Sequence, residues 1–245
     1  LLLQVWVGQD DRDPISLPAT GEDFVAERGE PLGQLRLAWT PDLGYAAVQP
    51  EVAAIASRAA RVFESVLGCS LEEAVPGFED PESLFLGISA AFHVASLGHY
   101  GEAQVSQMDP LLQERMRVVD ALPAGQYEAL HHRRTELYHS FRRFFERFDL
   151  LLTPTISIAS YPIDAPYPPR DVAGRPIEWA LGWYPFTFPL NLAGLPAITV
   201  PAGWTERGEP VGLQIAGPRL ADALVLRAAA AFEAAQPWVH RRPAL

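Results

Sequence analysis

Apolar residues Val52, Ile55, Ala56, Ala59, Val62, Phe63 and Val66 recur at i, i+3, i+4 and i+7. This spacing places them on one face of a helix, opened by Pro50 and closed by Gly68. Before it, residues 35–39 read as a strand stopped by Thr40-Pro-Asp-Leu-Gly44, and residues 70–75 read as a second strand. A strand, a long crossover and a strand argue for an α/β unit. Residues 81–97 predict a helix that is apolar on most sides and so largely buried. Asp109-Pro110 supplies an N-cap and first-turn proline for a helix to about Ala121. A longer helix from about Gln126 to Phe148 gathers Tyr127, Leu130, Leu137, Tyr138, Phe141, Phe144, Phe145 and Phe148 on one broad face. Leu150-Leu-Leu152 is a very short buried strand, halted at Thr153-Pro-Thr-Ile156.

The remaining pattern predicts a hairpin and a closing helix. Residues 197–200 form a β-branched run between Pro196 and Pro201, which implies a strand of only a few residues. Val211, Leu213 and Ile215 alternate with Gly212, Gln214 and Ala216, the period of a half-buried strand. The polar segment from Gly203 to Glu209 joins the two as a loop. Residues 220–235 read as a last helix. The proline-rich stretch from Tyr161 to Arg170 reads as a loop inside the domain, and there is no internal repeat.

Composition narrows the function. A 245-residue chain that is 49% hydrophobic can bury a substantial core as one domain. Its net charge of −11, with no basic tract longer than Arg133-Arg134 or Arg142-Arg143, argues against direct nucleic-acid binding. Residues 84–98 come nearest to a membrane span but are interrupted by His93, so no membrane role is expected. Cys69 is the one cysteine, which excludes an intrachain disulfide and fits a reducing, cytoplasmic setting. The opening Leu1-Leu-Leu-Gln-Val-Trp-Val-Gly8 lacks a basic n-region, a cleavage site and an initiator methionine. It reads as a helix cut partway along.

Candidate chemistry is sparse. The chain contains no lysine: all 19 Lys+Arg residues are arginine. His93 and His99 fall on different helix faces, and His132 and His139 share a face without a cysteine or acidic partner, so no metal site is expected. The aspartates of residues 8–14 lack the glycine and distal glutamate of a calcium loop. There is no Gly-x-Ser-x-Gly elbow, phosphate-binding glycine loop or Cys-x-x-Cys pair. Glu72 with Glu73, and Glu79 with Asp80, read as solvated carboxylates in turns. From the residues alone no catalytic group is assigned, and no cofactor is expected.

Five segments, in order, nevertheless resemble the amidase signature family downstream of its serine-rich signature. They are Leu1-Leu-Leu-Gln-Val with Gly8-x-Asp-x-Arg-Asp-Pro14; Leu35-Arg-Leu-Ala-Trp-Thr-Pro-Asp-Leu-Gly44; and Arg134 through Phe148-Asp-Leu-Leu-Leu-Thr-Pro-Thr155. The most specific are Asn191-Leu-Ala-Gly-Leu-Pro196 and Gly212-Leu-Gln-Ile215. The resemblance implies a mixed-sheet α/β/α layered fold, with residues 1–245 as the C-terminal portion of the domain and its N-terminal catalytic part absent. It implies hydrolysis of carboxamide carbon–nitrogen bonds by a Lys-Ser-Ser triad. There a serine attacks the amide carbonyl, a second serine in a cis peptide relays protons to a desolvated lysine, and backbone N–H groups hold the oxyanion. Neither the lysine nor the Gly-Ser-Ser-Gly-Gly stretch occurs here, so catalytic roles do not carry over. Substrate-cleft positions do: Thr155, Trp183, Phe186, Thr187 and Asn191, with Asn191 expected chiefly to tie down its own loop. The implied partners are a small amide substrate in the complete enzyme and either the missing N-terminal half or a second copy of the chain. Two alternatives stand. One is the family's transferase form, the glutaminase part of glutamyl-tRNA amidotransferase (its A-subunit), for which Asp222 near the last helix's start is a candidate glutamine-binding acid. The other is a catalytically inactive scaffold or partner subunit.

Overall fold

The computed structural model describes residues 2–19, 21–110, 112, 113, 117, 123–164, 170–177 and 180–241. In chain order the elements are α1 (Leu2–Trp6), α2 (Phe24–Glu27), β1 (Arg36–Trp39), α3 (Pro50–Ser65), β2 (Ser70–Glu73), α4 (Glu82–Leu97) and α5 (Glu102–Val105). They continue as α6 (Ala124–Phe144), β3 (Leu150–Pro154), β4 (Asp171–Val172), β5 (Arg175–Pro176), a 3-10 turn (Ala180–Trp183), α7 (Phe188–Ala193), β6 (Ala197–Trp204), β7 (Pro210–Ala216) and α8 (Asp222–Ala235).

Five strands form one mixed sheet in the order β2-β1-β3-β7-β6. β1 lies parallel to both β2 and β3, whereas β7 runs antiparallel to β3 and to β6. β4 and β5 make a separate two-stranded ribbon. Leu37, Trp39, Leu150, Leu152, Leu213 and Ile215 point to one face, where α3 and α8 cover them. Phe63 of α3 and Phe232 of α8 stack there, ring centroids 5.5 Å apart, and both are fully buried. Ala38, Leu151 and Ala216 point to the other face, under Leu137, Phe141 and Phe144 of α6 and Phe188, Leu190 and Leu192 of α7. Three layers, α/β/α, result. β3 is buried on both sides, which explains why it reads as a continuous apolar run and not as an alternation.

Three expectations need correction. The apolar helix α4 is not largely buried: only Leu84 and Ala90 are, and Phe92 is 66% exposed. Among the described elements it packs chiefly on α6 and α7. Phe85 lies 5.3 Å from Phe188 between ring centroids. Gly87 sits where a Cβ would come within 2.7 Å of Leu130, so a bare backbone permits the close approach. β6 is not a few residues long but runs from Ala197 through Pro201 to Trp204, with a bulge between Pro201 and Gly203. It is an edge strand, where a missing N–H costs no ladder bond. The long helix ends at Phe144, four residues early, and turns carry the chain to Phe148. The expected helix from Asp109 to Ala121 lies mostly outside the described residues, as do residues 165–169 of the proline-rich loop.

The start of the parallel β1–β3 pair is fixed by a double clasp. Asp149 N–H donates to Arg36 O at 2.7 Å, and the Asp149 carboxylate accepts from the Arg36 N–H at 2.7 Å and from its guanidinium at 3.0 Å. The Arg36 hydrogen bonds hold the Asp149 carboxyl below its ordinary pKa. A depressed carboxyl contributes stability above its unfolded pKa of about 3.9, and loses it as pH falls through the folded value. Asp149→Asn is therefore expected to cost about 1 kcal/mol at neutral pH and to flatten the acid limb of stability. Urea titrations at neutral pH and below pH 4 check this. An unchanged difference between variant and parent at both values would refute it.

Candidate functional site

The candidate cleft residues lie where β3 ends and the chain turns across the carboxyl edge of the parallel strands, the edge at which open α/β sheets bind ligands. Thr155 continues the ladder, its N–H donating to Gly212 O at 3.0 Å. Its hydroxyl meets the Thr199 hydroxyl of β6 in a short contact directly over Gly212. The glycine makes this pairing possible. A Cβ at residue 212 would stand 2.5 Å from Thr155 Oγ1 and 2.8 Å from Thr199 Oγ1.

Two residues on, Ser157 is stitched to both neighbouring segments. Its N–H donates to Trp183 O at 2.9 Å, and its carbonyl accepts from the N–H of Gln49, the residue before α3, at 2.8 Å. Gln49 Oε1 accepts in turn from Ala159 N–H at 2.9 Å. Ser157 is fully buried, and its hydroxyl has no hydrogen-bond partner among the described residues. Trp183 closes the 3-10 turn half-exposed, with Tyr184 edge-on at 4.9 Å and Tyr161 edge-on at 6.1 Å between ring centroids.

The next three candidates divide. Phe186 is fully buried, so its ring belongs to the core and not to a cleft wall. Its carbonyl is held by the buried Gln214, whose amide donates to Phe186 O at 3.0 Å and to Thr153 Oγ1 at 3.1 Å. Thr187 precedes α7, its hydroxyl donating to Tyr184 O at 3.2 Å and its carbonyl accepting from Asn191 N–H at 3.3 Å. The Asn191 side chain is exposed and makes no hydrogen bond among the described residues. The loop after α7 is tied down by backbone: Gly194 turns left-handed at φ 66°, and Leu195 N–H donates to Leu190 O at 3.1 Å. Arg134 Nε adds a bond to Leu192 O at 2.6 Å.

Beside Trp183, an open crevice of about 290 Å³ lies outside the ends of β1 and β2, lined by Tyr45, Asp80, Glu82, Arg175, Gly182 and Pro185 among others. Tyr45 O–H donates to Pro185 O at 2.8 Å, and Arg175 donates to Tyr45 O at 3.1 Å. Burial, then the charges of Asp80 and Glu82, push the Tyr45 phenol well above its ordinary pKa, so it serves as a donor. Asp80 reaches solvent at one edge, yet the surrounding walls strip water from its carboxyl. Its pKa rises, against the opposing Glu82 N–H and Arg175 guanidinium. Among the described residues no three His, Cys, Asp or Glu side chains are grouped to hold a metal, and no helix is long and apolar enough to cross a membrane.

Sequence reasoning did not single out Gln214, Thr199, Ser157 or Tyr45. Gln214 stands in the Gly212-Leu-Gln-Ile215 match, but the alternation put it on the polar face of a half-buried strand, and the structure buries that face too. Nothing local marks Ser157.

A family model described as Amidase matches residues 1–226. The chain is 38% identical over 251 residues to an acylamidase of Rhodococcus erythropolis, covering 100% of this chain and 51% of the relative. It is 30% identical over 267 residues to the A-subunit of glutamyl-tRNA(Gln) amidotransferase from Synechococcus sp. (strain RCC307), covering 99% of this chain and 53% of the relative. The crystal structure of a bacterial aryl acylamidase of the amidase signature family superimposes with a TM-score of 0.84 at 30% identity, over 94% of this chain and 49% of that one. The chain spans about half the length of the curated relatives it matches.

Proposed function

We propose, because the chain belongs to the amidase signature family, that it supplies the C-terminal part of an amidase hydrolysing carbon–nitrogen bonds in linear carboxamides. The observation that carries this reading is the end-to-end match to half of an acylamidase, in a chain without lysine or a Gly-Ser-Ser-Gly-Gly segment. In this reading the nucleophile and base lie outside these 245 residues, either in the rest of the same polypeptide or in a partner, and the complete enzyme is cytoplasmic.

The chain's own residues do the supporting work. The paired hydroxyls of Thr155 and Thr199 present a polar floor to the amide, and Trp183 and Thr187 border it. In this reading the exposed Asn191 amide on α7 is a further substrate contact. Gln214 holds the Phe186 carbonyl so that the turn before α7 keeps its place, and groups fixed in this way lower the entropic cost of aligning a substrate with its nucleophile.

A second reading, the glutaminase half of an amidotransferase, is favoured by the amidotransferase relatives and by Asp222 at the first position of α8. The higher identity to the acylamidase places it behind. The purified chain alone is expected to release no product from anilides or from glutamine, because neither base nor nucleophile is present. Mixed or fused with the polypeptide that carries the Gly-Ser-Ser-Gly-Gly segment, it is expected to cleave an anilide faster than glutamine. Turnover by the chain alone, surviving a second purification, would overturn the assignment. Glutamine cleaved in preference to anilide would establish the second reading.

A further inference from the structure

On the face of the sheet covered by α3 and α8, opposite α7, a groove of about 640 Å³ opens between α3, the β6–β7 loop and the segment after α8. The bulge in β6 makes it. The register passes from Pro201 opposite Gly212 to Gly203 opposite Val211, which leaves Ala202 without a partner residue. Gln236 takes up the slack, its amide donating to Ala202 O at 3.2 Å. Beneath it the floor is bare, since a Cβ at Gly203 would stand 2.9 Å from Ile55 Cγ2. The volume falls in the range of small-molecule sites.

The walls carry Arg58 from α3 and Arg241 beyond α8. Among the described residues neither guanidinium has a carboxylate at ion-pair distance. The nearby acids are engaged elsewhere: Glu51 accepts from Glu206 N–H at 2.7 Å, and Glu209 pairs with Arg207 at 2.9 Å and accepts from the Thr205 hydroxyl at 3.1 Å. Arg241 lies over the Trp204 ring, 4.4 Å from its centroid, and no hydrogen bond engages its guanidinium N–H groups among the described residues. Glu206 is the single carboxylate on the lining. Two guanidinium groups without an ion-pair partner among the described residues thus line one groove, with Glu206 as the carboxylate beside them, in a chain of net charge −11.

We propose that this groove is an oxyanion site, in which Arg58 and Arg241 hold the phosphate or carboxylate group of a small molecule. Guanidinium forks match both groups through paired N–H donors, and a pre-positioned fork loses less entropy on binding. Glu206 repels such a ligand and weakens it.

Calorimetric titration of the chain at low ionic strength with inorganic phosphate, and separately with citrate, tests it. Saturable binding of at least one is expected, weakening as sodium chloride is added. Arg58→Ala and Arg241→Ala should each weaken it about tenfold, as expected when one charge-assisted contact is lost. Glu206→Gln should tighten it. Arg58 and Glu206 are exposed, and Arg241 adds only a weak cation–π contact. Melting without anion should therefore stay unchanged for the first two and fall slightly for Arg241→Ala, which separates binding from folding. Phosphate bound in preference to citrate identifies a phosphate ester as the ligand class, and the reverse a carboxylate. No saturation by either below about 10 mM, or parental affinity in the Arg58→Ala/Arg241→Ala double variant, would overturn the proposal.

Discussion

Replacing Gln214 by leucine is expected to remove about 2–4 kcal/mol of stability, although the two side chains are similar in size. The amide of Gln214 satisfies the Phe186 carbonyl and the Thr153 hydroxyl at once, in a site that water does not reach. Leucine leaves a carbonyl stranded in the protein interior, and the desolvation cost of an orphaned acceptor exceeds what the new apolar surface returns. Glutamate makes the sharper test. Ionised, it turns an oxygen toward the Phe186 carbonyl and has no proton to give, so Gln214→Glu should be worse than leucine at neutral pH. Burial beside a carbonyl raises the folded pKa of the introduced acid. Stability is then fully present below the unfolded pKa of about 4.3 and is lost as pH rises through the folded value. Urea unfolding of both variants at two pH values checks this. If Gln214→Leu unfolds at the parental midpoint, the amide is not the anchor of the Phe186 turn.

Gly212→Val should be the other severe substitution, and Gly212→Ala a graded version of it. Even the single methyl of alanine would sit 2.5 Å from one threonine hydroxyl and 2.8 Å from the other. Both contacts are threonine hydroxyls, so alanine forces them to turn away at the loss of their mutual bond, and the Thr155 Cβ at 3.0 Å limits how far they can give. Overpacking of this kind costs about 1–3 kcal/mol for alanine, and more for valine. In a domain of this size that corresponds to a fall of roughly 3–10 °C in melting temperature for alanine. The cause can be isolated. Thr155→Ala removes the nearer hydroxyl, so Gly212→Ala should cost less in that background, with a coupling of about 1 kcal/mol. Equal costs in both backgrounds would show that the threonine pair is not what the glycine accommodates.

The fold was legible where local pattern and final environment agree. The α3 stripe, the apolar run of β3 and the alternation of β7 each state their burial in their own residues, and the order of elements then selects an α/β layer. The cleft was less legible because its contacts are made by register across strands. Thr155 and Thr199 meet only because both flank residue 212 of β7, a relation that no window of either segment contains. Asn191 drew notice through its motif, yet the loop it was expected to secure is held by main-chain bonds. The composition of α4 indicates apolar surroundings on most sides, but composition does not say which neighbours provide them. Within this chain α6 and α7 cover one side and leave Phe92 in water. Pro201 misled for a related reason, since a proline ends a central strand but can be carried on an edge.

The interior position of β7 sets the order in which the sheet can be completed. β1, β2 and β3 precede it along the chain and join through parallel pairing, and that leaves one side of β3 with its peptide groups unpaired. The partner that covers them arrives late: 61 residues separate Thr153 from Gln214. The β6–β7 hairpin closes locally within about 1–10 μs, so its docking against a distant, already buried strand is the slower event. During synthesis from the N-terminal side, β3 therefore waits as an open edge between an apolar run and solvent, and over that interval aggregation competes with folding.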